Sequence, residues 1–318
     1  MTTRQKAMTE MIVKWVCAIA LLMALSFIYY LNMGLTTSKV LYIPQGSIRK
    51  IITHLETANP QLNRLDAFLL RFVGQPQHGW IDLGGTAMSH GDFLYRITTS
   101  KAAMKPVTLV PGETTHVFFT QLAESHGLDP QRLMAAFREQ SPYQEGALVP
   151  DTYQLPIGIT ESDAVRLLLH YAETKQRAWS EKIFGLYNER KWYHYIVIAS
   201  VIQKEAADNA EMPLVSSVIA NRLAKGMKLQ MDGTLNYGRY SHERITAARI
   251  RSDKSEYNTY LHNGLPAAPV CNVGFEAIRA AIFPAKTEYL YFTKGADGKH
   301  RFSRYYSTHL RNINRVTK

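Results

Sequence analysis

Residues 196–209 read IVIASVIQKEAADN. The run stays uncharged through Ile202, and then Gln203, Lys204 and Glu205 arrive together. A very apolar helix is predicted over 192–207. On a 3.6-residue helix Ile198, Val201, Ile202 and Glu205 are related by steps of three and four, so they share a face, while Gln203 and Lys204 point elsewhere. Glu205 therefore continues the apolar stripe. A carboxyl held against apolar surface is costly to ionise, and its pKa is expected to rise. A glutamic acid still protonated near neutral pH is what general acid catalysis needs. The pattern also fits a helix that simply finishes at the surface with a charge, so flanking residues must decide.

Downstream, residues 226–275 are rich in Gly, Asn, Tyr, Pro and Asp, which predicts a long loop-rich segment. It carries Gln230, Asp232, Asn236, Tyr237, Tyr257, Asn258, Thr259 and Tyr260. Aromatic rings stack on the apolar faces of pyranoses, and amides bond their hydroxyls. Ordinary turn and strand positions account for the same residues, QMDG as an Asp-Gly turn above all. Upstream, Pro213 is placed in the first turn of a helix whose stripe is Leu214, Val215, Val218, Ile219 and Leu223, with Gly226 as its stop. An amphipathic helix is predicted over 163–183. TEYLYFTKGADGKHRFSRYY, residues 287–306, reads as a hairpin turning between Lys294 and Lys299.

The first half of the chain repeats a loose pattern of short strand, Pro/Gly turn and helix opened by a small polar residue. Its copies are VLYIPQGSIRKIITHLE, WIDLGGTAMSHGDFLYRI, VTLVPGETTHVFFTQLAESHGL and TYQLPIGITESDAVRLLLHYAE. Ser47 and Ser89 are the expected N-caps of the first two. Their irregular spacing argues against a solenoid and for small α+β units. Within 107–140 the order is strand, helix at about 115–125, Gly127 as stop, Asp129-Pro130 as the next start, and a second helix. That order, with PGET at the first turn, is similar to a LysM-type glycan-binding module and equally to an ordinary small βαα unit.

The N-terminus has the character of a membrane anchor. Arg4, Lys6 and Lys14 face one acid, Glu10, before WVCAIALLMALSFIYYLNMGL runs uncharged from Trp15 to Leu35. About 20 such residues span roughly 30 Å of hydrocarbon. Trp15 and the Tyr29-Tyr30 pair suit the two interfaces, and the exit offers no small-x-small cleavage site. The positive flank puts residues 1–14 in the cytoplasm and everything after about residue 35 outside it. The expected organisation is a cytoplasmic tail (1–14), a transmembrane helix (15–35), an N-terminal α+β subdomain (36–105), a LysM-like subdomain (106–160) and a mixed helical and β catalytic domain (161–318). The fold class is α+β.

The net charge of +11 favours an anionic partner or a plain soluble basic surface. The basic residues are scattered without a long Lys/Arg run, and no nucleic-acid partner is expected. Cys17 lies in the anchor and Cys271 far away, so no disulfide framework is expected. The 11 histidines show no metal-ligand spacing, and neither metal nor cofactor is expected.

EGALVPDTYQL (145–155), IASVIQKEA (198–206), VIANRLAKGMKLQMDGTLNYG (218–238), YNTYLHNGLPAAPV (257–270) and FPAKTEYLYF (283–292) resemble, in order and spacing, the YceG-like family of endolytic murein transglycosylases of bacterial inner membranes. The resemblance implies an endolytic peptidoglycan lytic transglycosylase. It would cut the bond from N-acetylmuramic acid to N-acetylglucosamine and leave 1,6-anhydro ends, terminating glycan strands beside the inner membrane. It implies Glu205 as the catalytic acid, at the second acidic position of an EKE-type motif whose first position is Gln203 here. Gln230, Asp232, Asn236, Tyr257, Asn258 and Tyr260 are the expected substrate contacts, with Asp232 also a candidate electrostatic stabiliser. Penicillin-binding synthases are the partners it implies. The sequence departs from the family pattern at Asp232-Gly233, usually Asp-Pro, at Ala267-Ala268, usually Pro-Gly, and at Phe283-Pro284-Ala285, usually His-Pro-Ala. The rival expectation is a non-catalytic, membrane-anchored peptidoglycan-binding scaffold for cell-wall synthases.

Overall fold

A computed structural model of the chain describes residues 3–316. It is a mixed α+β protein that divides into two compact units. One runs to Lys105 and includes Pro156–Thr160; the other comprises Pro106–Leu155 and the chain from Glu161 onward.

The first unit opens with α1 (Thr3–Asn32), of which Met11–Asn32 is long and apolar enough to cross a membrane. The helix stops three residues short of the predicted Leu35. Gly34–Thr36 form strand β1, and Leu35 is buried in the unit's core. There follow β2 (Val40–Ile43), α2 (Ile48–Ala58), α3 (Arg64–Val73), β3 (Gly79–Asp82), β4 (Ala87–Ser89) and α4 (His90–Thr99). β1 pairs antiparallel with β4, and β2 with β3, in register Val40 to Asp82 and Ile43 to Gly79. Ser47 and Ser89 cap α2 and α4 as expected, each accepting a backbone N–H of the first turn. Ile43, Ile52, Leu70, Ile81, Phe93 and Leu94 fill the core between these pieces. The last turn of α1 is built into the unit: Tyr30 Oη donates to Asp66 at 2.9 Å, and Asp66 also meets His90 Nδ1 at 3.0 Å.

The second unit begins with a β-α-α-β arrangement. β5 (Met104–Thr108) leads into α5 (Thr115–His126), α6 (Pro130–Gln140) and β6 (Thr152–Pro156), which pairs with β5. Thr114 caps α5, Gly127 ends it at φ +68°, and Asp129 caps α6 with Pro130 in its first turn. A left-handed stop favours glycine because a Cβ is strained there. Next come α7 (Glu161–Phe184), α8 (Glu189–Glu205), α9 (Met212–Ala224), short α10 (Ala247–Ser252), α11 (Phe275–Ile282), the hairpin β7–β8 (Tyr291–Lys294 and His300–Ser303) and α12 (Tyr306–Val316).

α8 is the central rod of this unit, packed against α9 and α11. It is buried on more than one stripe: Ile196, Val197, Ala199, Ser200, Val201 and Ile202 are all buried, whereas Ile198 is only partly so. An all-round apolar helix belongs at the centre of a unit rather than on its surface. Asn272 ties the β-α-α-β segment to the rest. Its buried amide donates to Glu113 O and Thr115 Oγ1 and accepts from the Leu148 N–H, while its backbone exchanges bonds with Gly112 and Glu113.

Candidate active site

Glu205 is the last residue of α8, where the buried rod meets a cavity of about 420 Å³. Helical geometry separates the three polar neighbours as expected. Gln203 Oε1 accepts from the Gly274 N–H at 3.2 Å, and Lys204 Nζ donates to Ser241 Oγ at 2.9 Å. Both side chains hold loops elsewhere. Glu205 alone opens on the cavity. Its Oε1 accepts from the Gly233 N–H at 2.6 Å, and its Oε2 has no protein hydrogen-bond partner among the described residues. Burial pushes its carboxyl up to about 7. The nearby Asp232 charge adds to the rise, while the Gly233 bond and the more distant Arg222 guanidinium oppose it.

The loop facing Glu205 is fixed from beneath. Gln230 N–H donates to Thr259 O, Met231 N–H to Thr259 Oγ1, and Thr234 Oγ1 to Met231 O. Met231, Gly233, Thr234 and Leu235 are buried, while Gln230 and Asp232 are exposed. Gln230 stands at φ +49°, the one non-glycine residue in the left-handed region among the described residues. Such a conformation costs on the order of 1 kcal/mol and persists only where surroundings enforce it. Gly233 is required by contact. A Cβ there would lie 2.6 Å from Lys204 Cβ and 2.9 Å from Glu205 Oε1. The departure from Asp-Pro therefore has a physical content: glycine supplies the N–H that binds Glu205, and a proline has none.

The structure brings Glu205, Gln230, Asp232 and Tyr260 together around this cavity. Tyr260 Oη donates to Asp232 Oδ1 at 2.6 Å; burial, then that bond, pushes its phenol up, so it stays a donor. The other three expected contacts lie elsewhere. Asn258 is fully buried. Its amide donates to Ile250 O and Asp253 O and accepts from the Tyr260 N–H, so it shapes the loop and has no face left for a sugar. Asn236 spends its amide on Tyr240 O and Glu243 O, closing a turn. Tyr257 stacks on Tyr237 with centroids 4.3 Å apart and lines a separate cavity with Tyr143 and Tyr193.

Sequence reasoning missed most of the lining. Arg222 of α9 enters the cavity buried, with Nε donating to Leu290 O at 2.6 Å and Nη1 to Leu229 O at 2.6 Å. Its signal was available: Arg222 continues the Val215, Val218, Ile219 stripe just as Glu205 continues that of α8. The hairpin and α12 add Tyr291, Lys294, His300, Tyr306 and His309. Nothing local in the sequence places them there. Glu211, in the turn between α8 and α9, accepts from the Ala207 N–H, the His300 N–H and His300 Nδ1, the last at 2.7 Å. It ties the segment just after Glu205 to the hairpin.

A second carboxyl, Glu145, is also pushed up to about 7 by burial, against hydrogen bonds from Thr115 and Gly146 and the charge of Lys204. It is enclosed, with both oxygens bonded to the Thr115 N–H and Oε1 also to Thr115 Oγ1 and the Gly146 N–H. Of the two raised carboxyls, only Glu205 can reach a substrate. Among the described residues no cluster of three His, Cys, Asp or Glu side chains could hold a metal ion.

The YceG-like family model matches residues 41–315. An endolytic murein transglycosylase of Bacillus subtilis (strain 168) is 31% identical over 167 residues, 52% of this chain and 46% of that protein. One of the same name from Streptococcus pneumoniae serotype 2 is 29% identical over 180 residues, 53% of this chain and 31% of that protein. The chain thus spans less than half the length of these curated relatives. A 2.6 Å crystal structure of a yceG-like protein from Listeria monocytogenes superimposes with a TM-score of 0.56 at 22% identity, covering 86% of this chain and 97% of that one. At that identity the likeness concerns the fold.

Proposed function

Since the chain belongs to the YceG-like family, we propose that it is an endolytic lytic transglycosylase acting on peptidoglycan, with Glu205 as its acid and base. The observation that carries the reading is the state of Glu205: a carboxyl raised to about 7, held by one N–H and open to a cavity. The relatives named endolytic murein transglycosylase support the same activity and substrate.

In the proposed reaction the Glu205 proton passes to the glycosidic oxygen between N-acetylmuramic acid and N-acetylglucosamine as that bond to C1 breaks. Positive charge develops on the muramoyl ring, and Asp232 stabilises it. Glu205, now ionised, accepts the proton of the ring's own C6 hydroxyl as O6 bonds to C1. The products are a free N-acetylglucosamine 4-hydroxyl and a 1,6-anhydro end; no water is consumed and Glu205 regains its proton. Glycosidases that hydrolyse need a second carboxylate to activate water or form an adduct. Here the substrate supplies the nucleophile, so one carboxyl serves both steps. Gln230 and Tyr260 hold the sugar. A scaffold that only binds glycan has no use for a carboxyl kept protonated in a cleft.

The anchor would make the protein single-pass, with residues 1–14 in the cytoplasm and everything after about residue 35 outside the inner membrane. The β-α-α-β segment would act as a LysM-like glycan holder, and a penicillin-binding synthase would supply the nascent strands whose growth the cut terminates. Digestion in ¹⁸O-labelled water tests the reaction class. Intramolecular attack leaves new ends without label; label at the muramic C1 would overturn the transglycosylase reading in favour of hydrolysis.

A further inference from the structure

The cavity carries two kinds of chemistry, and the proposed reaction uses only one. Glu205, Asp232 and Tyr260 do the work at the glycosidic bond. The hairpin presents Lys294 and His300 to the same space, and neither is needed for proton transfer or cation stabilisation. Lys294 is exposed, and its ammonium has no hydrogen-bond or ion-pair partner among the described residues.

His300 is differently placed. Its side chain is 10% exposed and that of Glu211 9%, and their 2.7 Å contact is joined by a second bond from the His300 backbone at 2.8 Å. Burial alone would raise the Glu211 carboxyl, but hydrogen bonds from the His300 ring and backbone and from the Ala207 N–H outweigh it and hold it below its ordinary value. An ionised carboxylate only accepts, so Nδ1 carries the proton of that bond. Phe292 packs edge-on against the ring at 5.2 Å. The atom left for the cavity is Nε2, which has no protein partner among the described residues.

We propose that Lys294 and His300 form a subsite for the peptide stem borne by the muramic acid, so that the enzyme selects peptide-bearing strands over bare glycan. The inference rests on the transglycosylase reading of this cavity. The sugars of the glycan offer hydroxyls and acetamido groups and no charge. A stem offers amide groups for Nε2 and free carboxylates for the ammonium. A bare strand also has a carboxylate, on the lactyl group freed when the stem is removed, but it has lost the stem amides that Nε2 would bond.

Binding separates this inference from the activity. The Glu205→Gln protein is titrated calorimetrically with uncrosslinked peptide-bearing strands, the same strands with amidated stem carboxylates, and amidase-stripped strands. One charge-assisted hydrogen bond is worth about tenfold in affinity. The peptide-bearing strands are expected to bind about tenfold more tightly than either other kind. In Lys294→Met the preference over amidated stems collapses to near unity, and in Lys294→Arg, which keeps the charge, it returns. Equal binding of all three strands, tighter binding of stripped strands, or a preference over amidated stems that survives Lys294→Met overturns the stem subsite. The transglycosylase reading stands or falls separately, on the ends formed by the unsubstituted enzyme.

Discussion

Glu205 ends α8 with one carboxylate oxygen tied to the Gly233 N–H and the other turned to the cavity. Its carboxyl is raised from the usual range to about 7, so it holds its proton below that pH and loses it above. An acid that must be protonated before the first bond breaks then gives kcat/KM values that are flat below about pH 7. They should fall about tenfold per pH unit above it, a profile that steady-state rates on soluble strands will show. Gly233 governs the same group. In Gly233→Ala the added Cβ must push away from Lys204 and Glu205. A displaced acid is expected to cost at least about tenfold in kcat/KM. Because the Gly233 bond lowers the Glu205 pKa, its loss should also move the falling limb of the pH profile upward. A Gly233→Ala enzyme with the wild-type rate and profile would show that the contact is idle. At this scale the sequence was informative: periodicity alone separated Glu205 from Gln203 and Lys204, whose side chains bond to other loops. It could not say that Asn258 is spent inside the loop, because a buried amide and a sugar-binding amide look alike in one dimension.

Among the elements, those with chemical punctuation were readable in advance. Gly127 and Asp129-Pro130 mark the end of α5 and the start of α6, Pro213 and Gly226 bracket α9, and the two glycines near 295–298 turn the hairpin. Strands β1 and β4 were not, since three-residue strands carry too few positions for alternation to register. The hairpin was readable as a hairpin, yet its place beside the cavity was not. Its ties to Glu211 and Arg222 join residues far apart in the chain, and such contacts leave no local period. The loop of residues 257–260 owes its shape to Asn258. Asn258→Ala would leave Ile250 O, Asp253 O and the Tyr260 N–H without their partner. Urea unfolding should register a loss of roughly 1–3 kcal/mol. If Asn258 were chiefly a sugar contact, stability would hold and KM alone would rise.

For the whole molecule, α1 is long and apolar enough to span a membrane and is also a structural part of the first unit. Its last turn supplies Tyr30 to Asp66 and leads into Leu35 of the first core. A protein truncated to begin at residue 38 loses both, while one beginning at residue 29 keeps them. The shorter form should melt lower by roughly 5 °C or more in calorimetry; equal melting would mean that the last turn of α1 adds nothing to the first unit's stability. In the proposed reaction the second unit carries the chemistry, and there the account makes one demand above the others: a single carboxyl performs both proton transfers. Mass spectrometry of the sugar ends released from purified peptidoglycan tests this most directly, with the wild type and a folded Glu205→Gln protein side by side. The wild type should produce muramic ends lighter by one water than hydrolysed ends, and Glu205→Gln should produce none. Anhydro ends formed by Glu205→Gln at a rate near that of the wild type would contradict the account.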